Sequence, residues 1–233
     1  LFFINRDVQA ETLALTDADT PDGYSELDSG LPVQGEDGTD YLYIPLDRNV
    51  SEEDITVSAN VLAGDINISV QGTTESFYYK NPLKGSSSGI SDLSYGFSDG
   101  SANIHIVLDG IYETETIFKD GFMCLKFVRP DMEFKHVFVI DAGHGGKESG
   151  TAAYGYTEKD VTLAVSEQLQ KLFDGCSDKN IKAYFTRTDD KYIDDAERLR
   201  IINGTGAEMA VSLHTGADPD TRVTNGISVV CSN

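Results

Sequence analysis

Two of the four histidines in this chain of 233 residues, His144 and His214, stand apart by what precedes them. His144 follows the apolar run VFVIDAG and His214 follows AVSL. A continuous apolar run reads as a strand buried on both faces of a parallel sheet, and open α/β sheets collect ligands just beyond the carboxyl ends of such strands. His105, within an alternating segment, and His136, at a strand start, read as ordinary structural residues. Around His144 the segment Asp141-Ala142-Gly143-His144-Gly145-Gly146 sets three glycines beside one imidazole, so the backbone can turn sharply and leave the ring accessible. Glu158 stands at the first turn of an expected helix, where the helix dipole favours a carboxylate on structural grounds alone. If the turn from Gly145 to Thr157 folds back, Glu158 joins His144 and His214 in a two-histidine, one-carboxylate set. That is the ligand set of a catalytic zinc site with its fourth position open to water.

The elements that must position these residues follow from periodicity. His136–Asp141 is a buried strand, and Thr157 with Asp160 forms a capping box for a helix whose Val161, Ala164, Val165, Leu169, Leu172 and Phe173 recur at helical spacing. Residues 182–186, 209–213 and 227–231 read as further strands, 209–213 buried like the first, and 195–203 as a short helix; strand and helix alternate as in an α/β layer. Upstream the pattern is period two, over 41–46, 55–62, 66–71, 77–80, 104–109 and 122–128, the mark of antiparallel sheets. Lys84–Ser101, with four glycines and seven serines, reads as a long mobile loop. The expected division is an acidic lead-in over 1–40, a β-rich domain over 41–130, and an α/β domain over 136–233. The fold class is thus an α/β domain with a mostly parallel sheet, preceded by an all-β sandwich-like domain.

Composition narrows the partners. Eighteen basic against 39 acidic residues give a net charge of −21, which repels nucleic acid and anionic lipid. The excess is concentrated in residues 1–135, with 24 acids and 8 bases against 15 and 10 in the remainder. No apolar run approaches the roughly 20 residues of a membrane-spanning helix. Cys124, Cys176 and Cys231 are too scattered for a disulfide framework or a metal knuckle and read as buried thiols. The oligomeric state is not legible.

The motifs VFVIDAGHGG, GYTEKDVTL, TRTDD, the stretch Arg198–Asn203, AVSLHTGA and NGISVV, in that order, resemble the zinc-dependent N-acetylmuramoyl-L-alanine amidases of the amidase-3 type. The resemblance covers residues 136–233. It implies a secreted or cell-envelope peptidoglycan hydrolase that cleaves the amide between N-acetylmuramic acid and L-alanine, with Zn2+ held by His144, Glu158 and His214. It also implies a catalytic glutamate beyond Asn233, so the domain is expected to be truncated and the chain as it stands inactive. The family usually carries Asn at Gly216, Asp at Glu148 and Leu at Asp195. Asp141 is expected to orient His144 or to be a solvated strand-end acid, and Gly145 to shape the loop beside the ligands. Arg187 and Arg198 either meet the wall polymer or, as expected, pair with Asp189, Asp190 and Asp194. The β-rich part is similar in position to the amidase N-terminal wall-targeting domain. A competing reading is an inactive wall-binding or regulatory module with a structural zinc site.

Overall fold

The computed structural model describes residues 2–4, 41–86, 88–216, 226 and 229–230. The chain divides into two compact units, Leu1–Lys135 with Gly204–Gly206, and His136–Asn203 with Ala207–Asn233. The acidic lead-in lies almost wholly outside the described residues, as does the strand expected at 227–231.

In chain order the first unit contains β1 (Phe2–Ile4), β2 (Leu42–Pro45), β3 (Ile55–Asn60), β4 (Asp65–Gln71), α1 (Glu75–Lys80), β5 (Lys84–Gly85), β6 (Ile90–Ser98), β7 (Ser101–Leu108), β8 (Glu113–Lys119), β9 (Phe122–Val128) and α2 (Pro130–Glu133). Every ladder is antiparallel, one sheet running β1-β6-β7-β4-β3 and the other β5-β2-β9-β8. Alternation decides which side chains enter the core. Ile66, Ile68 and Val70 of β4 and Ala102, Ile104, Ile106 and Leu108 of β7 point inward with Ile44, Met123 and Leu125 of the second sheet. On the other face of that second sheet, Phe122 and Cys124 cluster with Tyr41 and Tyr43.

Two expectations are corrected here. Phe77–Lys80 is helix α1, not a strand, because the Thr74 hydroxyl accepts the Phe77 N–H at 3.2 Å and caps it; the helix drives Tyr78 into the core against Tyr95 and Phe97. Lys84–Ser101 is chiefly strand, not loop. Leu93, Tyr95 and Phe97 alternate toward the core, and that burial outweighs the poor strand propensity of the glycines and serines between them. Asp99-Gly100 closes the β6–β7 hairpin with φ of 53° and 74°, the left-handed pair that a two-residue hairpin turn requires, and Asp120-Gly121 does the same for β8–β9. Strand β8, with its charged ETETIFK sequence, was not expected and is held by its ladder to β9.

The second unit contains β10 (His136–Ala142), β11 (Ala152–Ala153), β12 (Tyr156–Thr157), α3 (Glu158–Asp174), β13 (Ile181–Phe185), all but the last two residues of α4 (Asp195–Thr205), and β14 (Met209–Leu213). Its sheet is parallel, in the order β13-β10-β14. β10 is central and largely buried, as the unbroken apolar run predicts. β14 is not buried. It is the edge of this sheet among the described residues, and Met209 is 52% exposed. Helix α3 lies against the sheet through Phe173, which meets Phe138 and Phe185. Its buried residues are Glu158, Thr162 and Ser166, while Val165 and Leu172 of the expected apolar stripe are exposed. The capping box is absent, for the Thr157 hydroxyl donates to the Asp160 carboxylate at 2.5 Å instead of accepting its N–H. No helix among the described residues is long and apolar enough to cross a membrane.

Candidate metal centre

Parallel pairing brings the carboxyl ends of β10 and β14 side by side, with Ala142 opposite Leu213. His144 and His214 therefore leave the sheet as neighbours, their ring centroids 5.1 Å apart and nearly perpendicular. The segment between His144 and α3 does fold back. The β11–β12 hairpin returns the chain, and its foot is tied to the helix start by the Glu158 N–H on the Thr151 carbonyl (2.8 Å) and the Lys159 N–H on that of Ser149 (3.1 Å). Glu158 is thereby carried beneath both imidazoles.

Its carboxylate is 5% exposed, and each oxygen has two partners. Oε2 accepts the Thr151 N–H at 2.9 Å and lies 3.2 Å from His144 Nε2; Oε1 accepts the Thr215 N–H at 2.8 Å and lies 3.1 Å from His214 Nδ1. Burial on its own would raise the carboxyl pKa, but the two backbone donors and the two histidines outweigh it and hold the group below the usual carboxylate range. The set suits a metal ion. One ligand atom from each of the three residues lies within 4.8 Å of the others. A tetrahedral zinc with bonds of about 2.0–2.1 Å keeps its ligand atoms about 3.3 Å apart, close to the separations between the carboxylate and each imidazole.

Glycines make room for this approach. Gly150 has φ +64°, and a Cβ there would stand 2.5 Å from His144 Cδ2 and 2.6 Å from Glu158 Oε2. A Cβ on Gly143 would strike the His214 ring, and one on Gly145 would meet the Lys191 carbonyl at 2.1 Å. His144 itself has φ 60°, a conformation non-glycine residues rarely adopt. The imidazoles open on a cleft of about 620 Å³ whose walls include Glu148, Tyr192, Asp194 and Ser212.

The other singled-out residues are placed differently from expectation. Asp141 does not reach the His144 ring; its Oδ1 accepts from Thr186 Oγ1 at 2.8 Å and from Arg198 Nη1, and its Oδ2 from Ser212 Oγ at 2.6 Å. Arg187 and Arg198 do not pair with the side chains of Asp189, Asp190 or Asp194. Arg187, 1% exposed, donates to the carbonyls of Ala142, Gly143, Lys159 and Asp189 and to Thr162 Oγ1. Burial and the neighbouring Arg198 draw its guanidinium below the ordinary value. Asp190 instead holds Lys159 Nζ at 2.6 Å, and Asp194 Oδ1 accepts the Glu197 N–H at the start of α4. Sequence reasoning missed Thr151 and Thr215, which act through backbone N–H groups that no side-chain pattern reveals. It also missed Thr162, whose four-residue spacing from Glu158 was a usable signal.

The sequence profile of the family described as N-acetylmuramoyl-L-alanine amidase, Amidase_3, matches residues 138–233. This part of the chain is similar to the amidase-3 family. The segment is 36% identical over 80 residues to an endolysin of Bacillus phage SPP1, covering 34% of this chain and 29% of the phage protein. It is 37% identical over 87 residues to a probable N-acetylmuramoyl-L-alanine amidase, AmiB, of Haemophilus influenzae, covering 36% and 20%. Among solved structures, the chain aligns with the catalytic domain of the amidase CwlV of Paenibacillus polymyxa var. colistinus at 28% identity and a TM-score of 0.37, covering 39% of this chain and 50% of that one. The chain spans less than half the length of the curated relatives it matches.

Proposed function

We propose that the protein is a zinc-dependent peptidoglycan hydrolase of the cell envelope that cleaves the amide between the lactyl group of N-acetylmuramic acid and L-alanine. The observation that carries this reading is the convergence of His144, Glu158 and His214, the two imidazoles lining an open cleft. A structural zinc site is closed by four protein ligands, so three convergent ligands with both imidazoles on a cleft favour catalysis over the inactive-module reading. Zinc bound there supplies Lewis acidity, lowering the pKa of water toward about 7 and polarising the scissile carbonyl. Glu158, ionised and fixed by the Thr151 and Thr215 N–H groups, presents a carboxylate that needs no reorganisation. The fold of the Gly143–Gly146 loop leaves both imidazoles facing the cleft. Residues 41–130 are proposed to hold the enzyme at the wall.

Elemental analysis of protein purified without chelator is expected to give one zinc per chain, and none in His144→Ala. Release of new amino termini from purified peptidoglycan by the protein should cease with chelator and return with zinc. Equal zinc content in both proteins, or hydrolysis indifferent to chelator, overturns the reading. Residues 36–132 alone are expected to co-sediment with purified peptidoglycan; failure to do so refutes the wall-holding role.

A further inference from the structure

Asp141 and Ser212 face each other across the β10–β14 ladder, three residues before His144 and two before His214. Their side chains are joined, Ser212 Oγ donating to Asp141 Oδ2 at 2.6 Å. The remaining oxygen of Asp141 takes Arg198 Nη1 from helix α4 and Thr186 Oγ1 from the residue after β13. Arg198 then spends its other donors on the backbone of the ligand loop and its surroundings. Nη1 also meets the Ala142 carbonyl at 2.9 Å, Nη2 meets the His144 carbonyl at 2.8 Å, and Nε meets that of Ile193 at 3.2 Å. His144 holds a left-handed backbone, which persists in a non-glycine residue only where neighbours impose it. An ion pair serving the fold alone would need only the contact with Asp141. Here the guanidinium also grips the carbonyl of the strained ligand residue itself.

We propose that Arg198, through Asp141 and Ser212, is a positioning residue that fixes the backbone of His144 and its spacing from His214, and so sets the affinity and geometry of the metal site. The metal part rests on the function proposed above; the backbone part does not. Outer partners of metal ligands typically contribute roughly 10-fold to 100-fold in affinity, which sets the scale of the expected effect.

The experiment compares Arg198→Lys, Ser212→Ala and the control Arg200→Ala, which removes an exposed pair with Glu197 on the same helix. Zinc dissociation constants are measured by competition with a chromophoric chelator, and the visible spectrum of the cobalt-substituted protein reports coordination geometry. Arg198→Lys is expected to weaken zinc binding roughly 10-fold to 100-fold and to change the cobalt spectrum while keeping a cooperative melt. Ser212→Ala should do so more weakly, and Arg200→Ala not at all. In metal-free protein the ring resonances of His144 should shift in both node variants while those of His136 stay. If Arg198→Lys does not fold, Ser212→Ala carries the same test. Wild-type affinity and spectrum in the folded variants, with unmoved His144 resonances, overturn the proposal. If the wild type binds no zinc, the proposed function fails, and the node stands or falls on the His144 resonances alone.

Discussion

The two units bury opposite kinds of matter. In the first, the core is aliphatic and aromatic, drawn from alternate positions of β4, β7 and β9. In the second, the apolar core of Val137, Val139, Ile140, Tyr184 and Phe185 gives way at the carboxyl edge of the sheet to Asp141, Glu158, Thr162, Thr186, Arg187 and Arg198, all buried. A buried charge is costly unless paired or hydrogen-bonded: Arg198 pairs with Asp141, and Arg187 is held by carbonyls and Thr162. The difference teaches where each unit keeps its specificity: in shape complementarity for the first, and in a donor–acceptor network fixing three ligands for the second.

The comparison predicts that the second unit is the more sensitive to loss of one polar side chain. Arg187→Ala strips five recorded hydrogen bonds from buried groups and is expected to destabilise the second unit by about 3–5 kcal/mol, with zinc binding lost. Urea denaturation followed by hydrogen exchange on β10 amides measures it, and a loss under 1 kcal/mol would break the contrast. In the first unit the equivalent blow is a cavity. Ile106→Ala, at a fully buried site, should lose about 2–5 kcal/mol in the stability of that sheet and leave zinc content unaltered below its melting temperature.

Two glycine substitutions sharpen the same contrast. Gly150→Ala drives a methyl group into His144 and Glu158 and is expected to weaken zinc binding at least about tenfold, read by chelator competition. Gly100→Ala, at φ +74° with open space around it, meets only the backbone penalty of a hairpin turn and should cost about 1 kcal/mol with no effect on zinc. The smallest effect concerns the thiols. Burial pushes Cys124 up to about 11, leaving roughly one thiolate per thousand at pH 8, whereas Cys176 is only half-buried. Iodoacetamide labelling followed by mass spectrometry should therefore modify Cys176 well before Cys124, and the Cys124 rate should rise about tenfold per pH unit up to pH 11.

Periodicity by itself determined most of the strands of both units and the start of α3 at Glu158, and it set His144 and His214 just past two strand ends, while Glu158 joined them only on condition that the intervening turn folds back. Those features are local, since burial on one or both faces writes itself directly into residue spacing. Two errors in the first unit came from segments whose own propensity lost to tertiary context: a Thr74 cap turned the aromatic run at 77–80 into a helix, and core burial of Leu93, Tyr95 and Phe97 made a strand of a Gly- and Ser-rich stretch. In the second unit, composition invited pairing of Arg187 and Arg198 with the nearest aspartates in sequence. Only the fold decided otherwise, because parallel strands set Asp141 and the carbonyls of residues 142–144 beside Ser212 and the two arginines, which are far from them in sequence and adjacent in space. A buried guanidinium takes the acceptors that desolvation leaves without water, and which acceptors those are is a property of the assembled edge, not of any segment.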